Sequence, residues 1–235
     1  MEILSAILQA SAVIHKELKT GGERFLEPYG VGAGGDIGII ADKRAEEIFV
    51  DFLKPFGEII SEESGVIKGE NRENIFCLDP LDGSNNYACS FPYYGASIHS
   101  KGKENLAVVV NFCNLEVIYR DCKGVFIGDL NTQDFKPFVS SPQSTKIGIF
   151  EGAYQNAKEV EKFFSLGLKF RSPGALALSL ANARRVNFVF FKGEIRDYDI
   201  LAGLAISQDL YHFQDKNLLL ISQHKNVFDK ILSFI

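Results

Sequence analysis

Cysteine is scarce in this chain. Cys77, Cys89, Cys113 and Cys122 are the only four in 235 residues, with no CxxC pair and no Cys/His spacing. That excludes a disulfide framework and a structural zinc site, so they read as buried or incidental thiols. His15, His99, His212 and His224 fit no zinc motif either. A block of Lys and Arg is missing too. With 25 basic against 30 acidic residues the formal charge is −5, and no nucleic-acid footprint or polybasic membrane patch is expected. A phosphate-binding protein of this charge would have to attract its ligand through bound cations. No apolar run approaches the ~18 residues of a membrane span. The N-terminus lacks the basic start and unbroken apolar block of a secretory signal, so the cytoplasm is the expected compartment. The glycine-rich stretch "YGVGAGGDIG" is not followed by the Lys-Ser/Thr of a phosphate loop and reads as a mobile loop.

What is present is an ordinary globular composition, 46% hydrophobic and 23% charged, in a chain long enough for one large domain or two small lobes. Ile3, Ile7, Ala10, Ile14 and Leu18 predict a helix over residues 1–19, and Ala45, Ile48, Phe49, Phe52 and Leu53 another that ends near Pro55. "EIISEES" and "NIFCLDP" read as short strands ending in acids. Segments around 94–100, 106–112, 116–120 and 124–127 follow as an antiparallel meander. "TKIGIF", "NFVFF" and "NLLLI" read as strands; "AKEVEKFFSLG", "GALALSLANARR", "DILAGLAISQDL" and "NVFDKILSFI" read as helices. The order argues for a layered mixed α/β (α+β) architecture: an α+β lobe over about 1–140 and an α/β lobe over about 141–235, within a single domain.

The stretch "CLDPLDGSNNY" carries the chemistry. A strand continued through it would send Asp79 and Asp82 to opposite faces. Pro80 and Gly83 are expected to break the strand so that both carboxylates converge. Two adjacent carboxylates repel, and a divalent cation resolves the conflict. Oxygen donors suit Mg²⁺, with the Leu81 carbonyl and the Ser84 hydroxyl as natural further ligands. If a helix starts at Ser84, the free N–H groups of Gly83, Ser84 and Asn85 form an anion site beside the metal. Metal and anion together suggest a phosphoester substrate. The plainer alternative is that Asp82 or Ser84 only caps that helix. An EF-hand needs acids at positions 1, 3 and 5, and a D-x-D pair has its acids two apart; neither spacing is met. A glycoside-hydrolase pair of carboxylates stays open, though it explains neither Ser84 nor the anion site.

"DPLDGSNNY" resembles the D-P-[IL]-D-G-[ST]-x-N signature of the inositol monophosphatase family, within the Mg²⁺-dependent, lithium-sensitive sugar phosphatases. "SEESG" resembles that family's G-E-E-S, "GDIGIIADKRAEE" its D-[LI]-V-T-x-x-D segment, "RSPGALAL" its R-S-x-G-[SA]-A-[AL] stretch and "RDYDILAG" its W-D-x-A-[AG]-G. These pieces stand in the family's order across roughly residues 35–206. The resemblance implies an αβαβα sandwich of the sugar phosphatase type and hydrolysis of a phosphomonoester by direct attack of water. It implies Glu62, Asp79, the Leu81 carbonyl, Asp82 and Asp199 as ligands of two or three Mg²⁺ ions, with Li⁺ as inhibitor. It also implies that Ser84, hydrogen-bonded to Asp42, helps Glu62 deprotonate the attacking water. Phosphate would sit on Gly83, Ser84 and Asn85, and Gly174 and Ala175 would border the substrate. A homodimer is expected.

Taken singly, Asp42 reads as a helix cap and Glu63 as a solvated acid. Asp197 competes with Asp199, which is preferred because Ala202 and Gly203 follow it at the family's spacing. The departures bear on substrate. Tyr198 stands for the usual Trp, "SQDLYHF" replaces the usual E-A-G-G, and Lys192 falls where inositol-specific members carry a Glu that contacts a ring hydroxyl. Inositol monophosphate or a sugar phosphate is the expected substrate. Fructose 1,6-bisphosphate, whose second phosphate Lys192 could meet, and 3′-phosphoadenosine 5′-phosphate are alternatives. A non-catalytic metal- or phosphate-binding regulatory protein is the alternative of another class.

Overall fold

The computed structural model describes residues 2–140 and 146–235. Helix α1 (Ile3–Thr20) buries Ile3, Ile7, Ala10, Ile14 and Leu18, the face its spacing predicts. The glycine-rich segment is not a loop throughout. It pairs as an antiparallel ribbon, β1 (Pro28–Val31) and β2 (Ile37–Ile39), because β-branched residues flank its glycines and Gly35, at φ 92°, supplies the turn. Helix α2 (Ile40–Leu53) stops just before Pro55.

Next come β3 (Gly57–Ser61), β4 (Gly65–Ile67), β5 (Asn74–Asp82), the short helix α3 (Ser84–Ala88), and β6 (Gly95–Gly102), β7 (Leu106–Asn111), β8 (Glu116–Asp121), β9 (Gly124–Asp129) and β10 (Lys136–Pro137). They form an eight-stranded sheet in the order β10-β9-β8-β7-β6-β5-β3-β4. The meander from β6 to β9 is antiparallel, as expected, while β3 and β5 run parallel. The remaining elements are β11 (Ile147–Glu151), α4 (Ala157–Ser165), β12 (Lys169–Arg171), α5 (Leu176–Ala181), β13 (Val189–Lys192), α6 (Asp197–Ser207), β14 (Tyr211–Asp215), β15 (Leu218–Ser222) and α7 (Lys225–Leu232). Their five strands order as β12-β11-β13-β15-β14. Thr145, which opens the expected "TKIGIF" strand, and the expected lobe boundary near 141 lie outside the described residues.

Period-two alternation divides the apolar residues among the layers. Val108 and Val110 face α1 and α2, whereas Ala107 and Val109 face α5 and α6. In the second sheet Val189, Leu219 and Ile221 face α5 and α6, and Phe190, Leu218 and Leu220 face α4 and α7. The layers therefore run α, β, α, β, α. The central pair α5 and α6 is apolar on two sides: Leu178 and Ala202 meet the first sheet, Leu176 and Ile200 the second. The "NFVFF" run is core, with Phe188 and Phe190 fully buried.

One irregularity positions the site. β5 does not break at Pro80. It runs on to Asp82, with Asp79 opposite Ser97 and Asp82 opposite Gly95. Three steps on β5 match two on β6, so one residue is extra and the strand bulges. Ser97 and Gly95 share a face, and the extra residue therefore turns Asp79 and Asp82 to the same side, toward α5 and α6. The convergence expected from a broken strand is achieved by a bulged one. Proline is tolerated there because a bulge relieves one position of its ladder hydrogen bond.

Candidate metal and phosphate site

Three acids from three elements meet at this bulge. Glu62 follows β3, Asp79 lies in β5 and Asp199 in the first turn of α6, and each offers a carboxylate oxygen within 4.8 Å of the others. The Glu62 amide donates to the Leu78 carbonyl at 3.1 Å, which fixes the turn after β3 against β5. Glu46, buried in α2, accepts from the Ser64 amide at 2.9 Å and from its hydroxyl at 2.7 Å, bracing the same turn from behind. Of the two acids in "RDYD", Asp199 is buried and Asp197 exposed.

Asp82 is buried beside these three, and one of its oxygens accepts from the Leu178 amide at 2.8 Å. Leu81 donates its amide to Asp79 Oδ1 at 2.9 Å, and its side chain packs into the opposite, α1–α2 layer. Gly83 adopts φ 85°, a left-handed conformation that reverses the chain into α3. The amides of Asn86 and Tyr87 both donate to the Gly83 carbonyl, so those of Gly83, Ser84 and Asn85 are the ones the helix leaves without partners. A Cβ on Gly83 would lie 3.1 Å from the Ala175 Cβ, which puts Ala175 beside this turn.

The electrostatics are those of a buried acidic cluster that could hold a cation. Burial first, and then the neighbouring Asp199 charge, pushes Glu62 up to about 8. Burial raises Asp79 and Asp82 well above the usual carboxylate range, with the surrounding acids adding to it, and raises Asp199 as well. Packing four carboxylates together out of water is costly without a compensating charge. An all-oxygen, anionic donor set fits Mg²⁺ or another hard divalent ion, and neither sulfur nor imidazole is among the three clustered ligands.

Two expectations need correction. Among the described residues no hydrogen bond joins Ser84 to Asp42. Asp42, in the first turn of α2, instead reaches back to accept the Ile39 amide at 2.7 Å, because that helix start leaves the N–H unpaired within its reach. Burial, together with nearby Glu63, pushes Asp42 up to about 7. Lys192 is not brought to the acids. It sits at the end of β13 with its ammonium paired to Glu159 of α4, in a cleft of about 390 Å³ also lined by Lys162, Phe213 and Asp215. Strand alternation turns it toward the outer helix layer, away from α5 and α6.

Two residues escaped the sequence reading. Glu151, buried at the end of β11, accepts from the Gly174 amide at 2.9 Å, the Ala175 amide at 3.4 Å and the Ser179 hydroxyl at 2.6 Å. The Gly174 and Ala175 amides are thus occupied within the protein, and a substrate would meet other atoms of these residues. Asn86 closes the same corner, donating to the Pro173 carbonyl at 2.7 Å. Arg196 is the second. Its Nε donates to Asp199 Oδ2 at 2.9 Å, and its Nη2 lies 3.4 Å from Glu62 Oε1. Only its place three residues before Asp199, at the start of a helix, could have signalled it.

The αβαβα layering is the expected sandwich of the sugar phosphatase type. The sequence profile of the inositol monophosphatase family matches residues 3–210, and the chain belongs to that family. It is similar to Escherichia coli Nus factor SuhB, 31% identical in a 184-position alignment that covers 69% of this chain and 65% of that protein. It is also similar to Aquifex aeolicus fructose-1,6-bisphosphatase/inositol-1-monophosphatase, 28% identical over 72% of this chain and 66% of the relative. The match thus spans about two thirds of the length of these curated relatives. A Thermotoga maritima IMPase structure superposes with a TM-score of 0.77 at 21% identity, covering 99% of this chain and 98% of that one, and shares the fold.

Proposed function

We propose that this chain is a Mg²⁺-dependent phosphomonoesterase acting on a small phosphorylated metabolite. The observation that carries this is the convergence of Glu62, Asp79 and Asp199 within 4.8 Å beside the buried Asp82. Glu62, Asp79, the Leu81 carbonyl, Asp82 and Asp199 would hold two or three Mg²⁺ ions, as the family resemblance implies. Bound there, Mg²⁺ supplies Lewis-acid polarisation of a phosphoryl oxygen and lowers the pKa of a water. The Gly83, Ser84 and Asn85 amides bind the phosphate, offsetting its charge with oriented N–H dipoles. Glu62 and the Ser84 hydroxyl orient the attacking water, and Glu62 takes its proton. Asp42 acts one step back, fixing the start of α2 through Ile39. Ala175 and Gly174 border the substrate. Direct attack by water inverts configuration at phosphorus.

With Lys192 engaged by Glu159, its support for a second phosphate is lost, and inositol monophosphate or a sugar monophosphate is the favoured substrate. Fructose 1,6-bisphosphate and 3′-phosphoadenosine 5′-phosphate remain competitors, the first because the Aquifex relative's name includes that activity. The resemblance also supports a homodimer inhibited by Li⁺, in the cytoplasm expected from the N-terminal sequence. Among the described residues no helix is long and apolar enough to cross a membrane. The Nus-factor name of the E. coli relative motivates a second reading, a non-catalytic protein on the same fold. Turnover of the three substrates with Mg²⁺, measured side by side for the wild type and Asp79→Asn, separates these. The expected result is hydrolysis lowered at least about 100-fold in the variant, with circular dichroism unchanged. A folded wild type inert on all three favours the non-catalytic reading. A tenfold preference for either bisphosphate sinks the monophosphate reading.

A further inference from the structure

Arg196 is the one cation with hydrogen-bond or ion-pair contacts to the clustered acids among the described residues, and it faces two ways. One edge of its guanidinium holds Asp199 at 2.9 Å and lies 3.4 Å from Glu62. The other, Nη1, donates to Asp36 Oδ2 at 2.6 Å and to the Gly34 carbonyl at 3.3 Å, at the tip of the β1–β2 ribbon. Its plane sits 5.3 Å from the Tyr198 ring centroid. The ribbon tip is fitted closely over this corner: a Cβ on Gly34 would come within 2.5 Å of the Tyr198 hydroxyl and 3.1 Å of Glu62 Cγ. A planar fork can satisfy a carboxylate on each side at once, which an ammonium cannot. The contact to Asp36, which is 77% exposed, is weak by itself, whereas the pairing with half-buried and buried acids is not.

We propose that Arg196 is a displaceable internal counter-cation that links the filling of the acid cluster to the seating of the β1–β2 ribbon. This rests on the metal reading of the cluster. Without a divalent ion, Arg196 neutralises Glu62 and Asp199 and ties the ribbon tip down. An ion held by these same two carboxylates competes with the guanidinium, which gives up Glu62 and Asp199 and with them its fixed hold on Asp36 and Gly34. Arg196 is thus a positioning residue that lowers metal affinity and makes the ribbon over the site responsive to occupancy. The coupling is reciprocal: what loosens the ribbon must favour the ion.

The test is isothermal titration of the full chain with MgCl₂, paired with amide hydrogen exchange over residues 32–38, for the wild type, Arg196→Gln and Arg196→Lys. Arg196→Gln is expected to bind Mg²⁺ about 5- to 10-fold tighter than the wild type, the lower range of known couplings. Arg196→Lys, keeping the charge but not the fork, should fall between. Exchange in the ribbon should rise on adding Mg²⁺ to the wild type, and should already be raised and unresponsive in Arg196→Gln. Equal or weaker Mg²⁺ binding by Arg196→Gln, or ribbon exchange indifferent to Mg²⁺ in the wild type, overturns the coupling and leaves the metal reading standing. If neither the wild type nor the variants bind Mg²⁺, the metal reading falls and the coupling with it. Binding by Arg196→Gln alone supports both.

Discussion

A carboxylate buried among other carboxylates, offset by one arginine and single backbone amides, is pushed toward its neutral form, and that makes individual acids informative here. Glu62, Asp79, Asp82 and Asp199 are all shifted upward, chiefly by burial. Glu151 is shifted the same way by burial, but its environment differs: two backbone amides and a serine hydroxyl converge on it. It braces the 173–175 corner. Replacing it by Ala leaves those donors unpaired in the interior, and Glu151→Ala is expected to cost about 1–3 kcal/mol in urea unfolding. Glu151→Gln keeps an acceptor and should cost less. If the two variants are equally stable, the carboxylate is not what braces this corner.

At the scale of elements, the bulge in β5 and the packing of α5 on α6 decide whether the acids meet. The bulge brings Asp79 and Asp82 to one face. The helix pair then closes on that face, supplying the Leu178 amide to Asp82 and Asp199 to the cluster. This closure depends on Gly203, where a Cβ would lie only 2.4 Å from the Leu180 Cβ. Gly203→Val therefore forces α5 and α6 apart. A loss of about 1–3 kcal/mol is expected, the usual cost of overpacking, with Mg²⁺ affinity falling in parallel because Asp199 moves with α6. A variant as stable as the wild type would show that the helices have room to separate. In this chain the small residue Gly203 after Asp199 is explained by helix contact.

For the whole molecule, binding of the proposed Mg²⁺ would be linked to folding. Burial and the neighbouring Asp199 charge push Glu62 from an ordinary 4.5 up to about 8, so between these values the folded state holds a proton that the unfolded state releases. Its contribution to stability is fully present below about 4.5 and is lost as pH rises through about 8. The midpoint of thermal unfolding in EDTA should therefore fall from pH 5 to pH 8.5. Mg²⁺ should add little at pH 5 and most at pH 8, where the ligands are ionised. At a hundredfold excess over Kd the gain is about 2.7 kcal/mol, roughly 5–10 °C for a chain of this size. A metal-free midpoint that climbs across this window would contradict the shifts. Much of this was legible in the sequence. Spacing alone located the long helices α1, α2 and α6 and the meander, since amphipathic periodicity is a local property of the chain. Asp79 and Asp82 were legible from their own stretch, whose proline, glycine and serine point to a cation, whereas Glu62 and Asp199 were named only through the resemblance to the family's motifs. The ribbon at 28–39, the edge strands β4 and β14, the continuation of β5 past Pro80, the role of Glu151, the place of Arg196 and the turning away of Lys192 were not legible. Each depends on a partner distant in sequence: β6 for the bulge, the 173–175 corner for Glu151, Asp36 for Arg196, Glu159 for Lys192. The sequence by itself determined which residues can carry charge and which faces must be buried, because both follow from side-chain chemistry and local period. Only the tertiary structure decided which charges face one another, because that is set by the packing of layers whose members lie up to 162 residues apart.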